Sequence, residues 1–250
     1  MKRVNCSIVL YRTPADEVTK VVTMLRQCSE VGEIWLIDNS ELMTERFQFM
    51  DVQYIHGHGN IGYGRGHNIA LQKSLESEVD YHLVLNSDIA FSEGTIEKLI
   101  KFMDEHENVG HVMPKVLNPD GSDQFLAKRL PKPWDLIYRR LTLSQRCALS
   151  FDGMNDGGNG FDVEYLSGCF MMLRNDTLRK LKEKDGYVFD PRFFLYPEDM
   201  DLTRRMHTIG RTVYLPSVEI THYHRKESYK SLKMMCVHSW NMIKYFWKWR

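Results

Sequence analysis

A few stretches of this 250-residue chain carry side chains whose types and spacing could do chemistry. At Leu83-Val84-Leu85-Asn86-Ser87-Asp88 an apolar run ends abruptly in oxygen-bearing side chains. Asn86 and Asp88, two residues apart, can face one hard cation, and hard cations with open positions commonly hold phosphates. The tripeptide alone also fits an ordinary Asx-type turn. Further on, Pro197-Glu198-Asp199-Met200-Asp201 sets carboxylates in the first turn of a helix, where they suit the helix dipole. Arg204 and Arg205 follow one turn later, spaced to pair with them. His222 and His224 share one face if their segment is extended, and either could serve as a nitrogen ligand.

To bring such groups together the chain needs a sheet whose strands end on one edge. Val4 to Tyr11 is a β-rich apolar run, followed by a helix with Thr13 as N-cap and Pro14 at its first position. Val18, Val21, Val22 and Leu25 give that helix one apolar face. Ile34 to Ile37 reads as a second strand, ending in Asp38-Asn39-Ser40. A third, Val52 to Ile55, runs into the glycine-rich loop Gly57 to Gly66, with a helix from His67. After the Leu83 strand come a helix over 93–103, with Ile96, Leu99, Ile100 and Met103 on one face, and a strand over 109–116. Such alternation predicts a parallel sheet flanked by helices, and open α/β sheets bind ligands at the carboxyl edge of their strands.

The alternation stops from Leu117 to Asp162, a stretch rich in turn residues that reads as a lid or substrate wall, with a helix somewhere between Trp134 and Leu149. A strand over 164–174, a helix over 176–184, the acidic helix closed by Gly210, and strands over 213–215 and 218–224 complete the domain. From Ser228 to Arg250 the pattern is helical. Leu232, Met235, Cys236, Ile243, Phe246 and Trp247 form an apolar stripe, and Lys230, Lys233, Lys244 and Lys248 lie opposite. Such a helix either packs on the domain or, with Trp240, Trp247 and Trp249, lies on an anionic membrane surface.

Lys plus Arg and Asp plus Glu balance at 33 each, which gives no footprint for nucleic acid. Five scattered cysteines without a C-x-x-C pair read as reduced thiols of a cytosolic protein, not as a disulfide frame or zinc site. The first residues lack an apolar leader, so secretion is not expected, and no apolar run is long enough to span a bilayer.

Taken in order, several motifs resemble the family 2 inverting glycosyltransferases of GT-A fold, and among them bacterial rhamnosyltransferase-like enzymes of surface polysaccharide assembly. They are Ile37-Asp38-Asn39-Ser40, Gly59-Asn60-Ile61-Gly62-Tyr63-Gly64-Arg65-Gly66-His67-Asn68, Leu85-Asn86-Ser87-Asp88, Ser167-Gly168, Phe193 to Leu202, and His224 before Ser228. The resemblance implies an α/β domain over 1–224, with a nucleotide-sugar half (1–116), an acceptor-side half (117–224), and a basic C-terminal helix (225–250). It implies that Tyr11, Asp38, Asn60, Gly62, Arg65, Asn68, Asn86, Ser87 and Asp88 surround the donor. Asp88 would hold Mg2+ or Mn2+, with His224 or His222 as the remaining protein ligand. Asp199 would be the general base, Glu198 its neighbour, and Gly168 and Tyr196 would lie on the acceptor side. The implied reaction moves a sugar from a UDP- or dTDP-sugar to a hydroxyl of a growing bacterial surface polysaccharide of O-antigen or capsule type. The acceptor would be a glycan or lipid-linked glycan, met in the cytoplasm or peripherally on the inner membrane.

Asn86 departs from the family's Asp-x-Asp, so a catalytically degenerate nucleotide-sugar or partner binder remains an alternative. A Rossmann oxidoreductase would place its glycines after the first strand, where Arg12-Thr13-Pro14 stands instead. A Ser-His-Asp hydrolase would need a G-x-S-x-G elbow, which this chain lacks.

Overall fold

The computed structural model describes residues 3–41, 47, 51–135, 147–151, 153–223 and 232–250. The elements are β1 (Val4–Leu10), α1 (Ala15–Arg26), β2 (Val31–Asp38), β3 (Gln53–Ile55), α2 (Tyr63–Glu76), β4 (Tyr81–Leu85), β5 (Ile89–Ala90), α3 (Thr95–Glu105) and β6 (Val109–Leu117). There follow β7 (Ala127–Lys128), β8 (Phe161–Asp162), β9 (Tyr165–Leu166), β10 (Phe170–Arg174), α4 (Asn175–Asp185), α5 (Glu198–Met206), β11 (Arg211–His222) and α6 (Leu232–Lys248). Among the described residues the main sheet has nine strands, in the order β3-β2-β1-β4-β10-β6-β11-β5, with β8 beside β11.

The β1, β2, β3 and β4 pairings are parallel, as is β6 with β11. Strand β10 runs antiparallel between β4 and β6. The reason is local. β9 pairs with β7 away from the main sheet, and only Ser167-Gly168-Cys169 separates it from β10. The chain therefore enters the sheet at the carboxyl edge, where Phe170 pairs with Leu85, and runs down to Arg174 opposite Tyr81. The two expected halves thus share one sheet.

Helix α1 buries Val18, Val21, Val22 and Leu25, as its spacing predicts. Each such side chain contributes about 2 kcal/mol on burial. Its cap differs from expectation: the helix is preceded by Pro14, and the Thr13 hydroxyl accepts the Tyr11 N–H at 3.2 Å. The apolar face of α3 is also as expected.

Helix α2 begins at Tyr63, so the last four residues of the expected glycine-rich loop are helical. A Cβ on Gly64 would come within 2.9 Å of Phe189 Cβ, so this glycine lets α2 press against the segment before α5.

The C-terminal helix is rotated from its expected orientation. Met242 and Tyr245 are buried against Tyr165, Phe193 and Met200, whereas Cys236, Ile243 and Trp247 are exposed. Polar anchors set this rotation. Lys248 Nζ lies 2.8 Å from Asp190 Oδ2 and 2.7 Å from Asp201 Oδ1. Trp249 Nε1 donates to Asp201 at 2.8 Å, and Asn241 Nδ2 donates to the Leu195 carbonyl at 3.0 Å. Lys248, expected on the outer face, is therefore turned inward. The helix expected between Trp134 and Leu149, with Arg139, Arg140 and Arg146, lies largely outside the described residues.

Candidate active site

Parallel register brings the ends of β1, β2 and β4 to one edge, and Asp38, Asn86 and Asp88 follow from it. Asp38 is buried, and its carboxylate accepts the Ser40 N–H at 2.9 Å and the Tyr54 hydroxyl at 2.8 Å. Asn39 beside it donates to the Gly62 carbonyl at 3.1 Å and meets His58 Nε2 at 2.9 Å. Tyr11 is 44% exposed at the mouth of this edge, with the Arg12 guanidinium 5.2 Å from its ring centre.

Asp88 faces His222 across the β5–β11 pairing, with Oδ1 3.2 Å from Nε2. Burial opposes charge on this ring, but hydrogen bonds to Asp88 and Cys169 outweigh it and carry His222 up to about 10. Two donors each about 2.1 Å from a cation, at right angles, stand about 3.0 Å apart. The Asp88–His222 spacing therefore fits two neighbouring ligands of one divalent ion. Cys169 hydrogen-bonds His222, but among the described residues no group of three His, Cys, Asp or Glu side chains is arranged to hold a metal ion, and a donor set of two suits a cation shared with substrate phosphates. Binding it would release the Nε2 proton. His224 lies outside the described residues.

The second cluster stands at the start of α5. Asp199 Oδ2 accepts the Tyr165 hydroxyl and the Gly168 N–H, both at 2.8 Å, and Oδ1 accepts the Met200 N–H at 2.7 Å. Glu198 is equally buried, and its Oε2 has no hydrogen-bond partner. Burial, followed by the neighbouring Asp199, pushes Glu198 up to about 8. Burial also raises Asp199, against the pull of its three donors. Adjacent buried carboxyls cannot both ionise cheaply. Glu198, with one oxygen left unpartnered, is the member that keeps a proton, leaving Asp199 as the oriented carboxylate.

Tyr63 joins the clusters. Its hydroxyl lies 3.0 Å from Asn86 Oδ1 and 2.7 Å from the Gly168 carbonyl. Burial first, then the charges of Cys169, Glu198, Asp199 and Asp88, raise its pKa well above that of an ordinary phenol. His67 packs edge-on to its ring at 4.4 Å, and Ser7 in turn binds His67 Nδ1 at 2.7 Å. Tyr63, Tyr165 and Cys169 carry no sequence signal beyond proximity to the glycine motifs.

Other expected residues turn elsewhere. Asn68 spends its amide on the Phe189 backbone, donating at 2.7 Å and accepting at 2.9 Å. Arg65 Nε donates to the Pro191 carbonyl at 2.7 Å. Gly62 has φ 93°, and a Cβ there would meet the Phe194 carbonyl oxygen at 2.3 Å. These residues staple α2 to the segment before α5. Ser87 Oγ donates to Glu17 at 2.5 Å, toward α1. Asn60 is exposed, with Oδ1 accepting the Gly62 N–H at 3.1 Å. Tyr196, at φ 92°, sets its ring 4.7 Å from that of His238 on α6.

The sequence model of glycosyl transferase family 2 matches residues 8–182. An N-acetylglucosaminyl-diphospho-decaprenol L-rhamnosyltransferase of Mycobacterium tuberculosis is 26% identical over 204 residues, covering 70% of this chain and 60% of that protein. The rhamnosyltransferase WbbL of Escherichia coli is 24% identical over 225 residues, covering 86% of this chain and 82% of WbbL. Among solved structures, the mannosyltransferase PcManGT from Pyrobaculum calidifontis, in complex with GDP-Man and Mn2+, superposes with a TM-score of 0.61 at 13% identity over 98% of this chain and 63% of that one. Residues 1–349 of S. aureus TarS, in complex with UDP-GlcNAc, give 0.58 at 17% identity, covering 92% and 61%. The chain spans about 60% of the mycobacterial relative's length. The structural likenesses bear out the expected GT-A type fold.

Proposed function

The chain belongs to glycosyl transferase family 2, and from that premise we propose that it is an inverting glycosyltransferase using a UDP- or dTDP-sugar. The acceptor is a hydroxyl of a growing bacterial surface glycan of O-antigen or capsule type. The observation that carries this reading is the linkage of two unlike clusters, Asp88–His222 and Glu198–Asp199, through Asn86, Tyr63 and Gly168.

In one displacement the acceptor oxygen attacks the anomeric carbon and the bond to the diphosphate oxygen breaks with its electron pair. The acceptor proton passes to Asp199, whose carboxylate the Tyr165 hydroxyl and the Gly168 and Met200 amides hold in one orientation. Glu198, keeping its own proton, spares Asp199 a second negative neighbour. Asp88 and His222 are the residues that would hold Mg2+ or Mn2+. Such an ion, when bound, offsets charge on the leaving diphosphate. Tyr11 and the Asp38–Asn39 edge are the residues we assign to the nucleoside.

The exposed Trp240, Ile243 and Trp247 on α6 support peripheral contact of this cytoplasmic enzyme with the inner membrane, close to a lipid-linked acceptor. Liposome pelleting of the chain, against a form with these three changed to serine, tests that contact. Among the described residues no helix is long and apolar enough to cross a membrane.

The experiment for the donor is thermal stabilisation by UDP, dTDP and GDP, each with and without Mn2+. A metal-dependent shift with UDP or dTDP is expected. Silence with every nucleotide would leave a degenerate binder as the better description.

A further inference from the structure

We propose that Gln124 is a positioning residue for the Asp88–His222 pair, fixing the imidazole so that Nε2, not Nδ1, is the nitrogen presented to Asp88. As a device for cation binding this rests on the reading of Asp88 and His222 given above. As an assignment of ring orientation it does not.

Gln124 sits in the turn after β6, anchored by its N–H to the Val116 carbonyl at 2.9 Å. Its Nε2 lies 2.7 Å from the His222 carbonyl oxygen and 3.3 Å from that of Leu117. Both are acceptors only, so the two amide hydrogens are committed and the amide cannot be flipped. Oε1 is then the atom that faces His222 Nδ1, at 3.0 Å. An amide oxygen accepts and never donates, so Nδ1 must carry a hydrogen whatever the protonation state of the ring. Nε2 is left as the nitrogen turned toward Asp88, 3.2 Å away. One side chain therefore grips His222 at both its backbone carbonyl and its ring. A hydrogen bond to one ring nitrogen selects the tautomer and the ligating atom of the other.

The test uses the whole chain with histidine rings labelled in 15N, together with an EPR titration of Mn2+ alone. In Gln124→Leu the acceptor is gone: the His222 Nδ1–H signal should lose its hydrogen-bonded shift, and Mn2+ affinity should fall about tenfold. Gln124→Glu loses the same two bonds to backbone carbonyls but keeps an oxygen facing Nδ1. It should retain the ring signature and bind Mn2+ more tightly than the leucine variant. Equal losses in both variants would overturn the proposal and make Gln124 a backbone clamp only. A leucine variant with an unchanged ring and unchanged Mn2+ affinity would overturn it as well. If Asp88→Ala leaves the affinity of the unmodified background for Mn2+ untouched, the cation reading fails, and the ring spectra still decide the role of Gln124.

Discussion

The two clusters that meet at Tyr63 are built on opposite principles. The edge proposed to hold the donor pairs groups of opposite charge tendency, Asp88 and His222, with the carboxylate partly open to solvent. It is delivered largely by strand ends, so sheet register alone brings it together. The acceptor pocket crowds two like acids, Glu198 and Asp199, away from water. It is held by Tyr165, Gly168 and the docking of α6, contributions from distant parts of the chain. An attractive pair with its carboxylate partly open is suited to holding charged ligands that come and go. A repulsive, buried pair is suited to sharing and moving one proton.

Substitutions that strike one cluster should leave the other's readout intact. The largest effect is expected for Asp199→Asn, which should lower transfer by about 10²–10⁴-fold while nucleotide-dependent thermal shifts persist. A variant that transfers at the normal rate would remove Asp199 from its role, and one that loses nucleotide binding too would dissolve the contrast between the clusters.

Glu198→Gln sharpens the contrast from the other direction. With its folded pKa raised from 4.5 to about 8, Glu198 favours the native state most at low pH. That contribution is lost as pH rises from about 4.5 through 8, because the unfolded chain releases the proton more readily. The glutamine variant should therefore gain stability relative to the parent on going from pH 5 to pH 8, by on the order of a few kcal/mol. Denaturant melts at the two pH values measure it, and an equal difference at both would place Glu198 in water. Turnover in this variant should survive, since glutamine resembles the protonated acid.

Next in size is Lys248→Met. It strips a cation from Asp190 and Asp201, both fully buried, although Arg192 and Arg205 still serve them. A loss of about 2–3 kcal/mol in urea melts is expected, below the range for a pair left wholly uncompensated. The smallest effect should come from Asp88→Ala, about a tenfold weakening of Mn2+-dependent nucleotide binding by calorimetry.

The donor edge was the more legible region because apolar runs that end in polar residues report strand ends directly. Asp38, Asn86 and Asp88 stand at the edge where alternation placed them. The faces of α1 and α3 likewise follow from spacing alone. Much less of the acceptor pocket could be read. Glycine spacing around Gly62 and Gly64 looks the same whether it serves a phosphate or the close approach of Phe194 and Phe189. Thr13 resembles a cap until its neighbours are known. In α6 the apolar stripe suggested the buried face, but ion pairs with Asp190 and Asp201 decided the rotation. Tyr165 and Gln124 act through partners far away in sequence, and no local pattern encodes such partners.

The antiparallel β10 also bears on how the molecule is made. It lies between β4 and β6, yet its residues leave the ribosome well after both, a delay on the order of ten seconds at ordinary elongation rates. Until then two inner strands present bare edges, the kind of surface that pairs with other chains. Residues 1–117 released on their own should therefore aggregate, not settle into a nucleotide-binding unit.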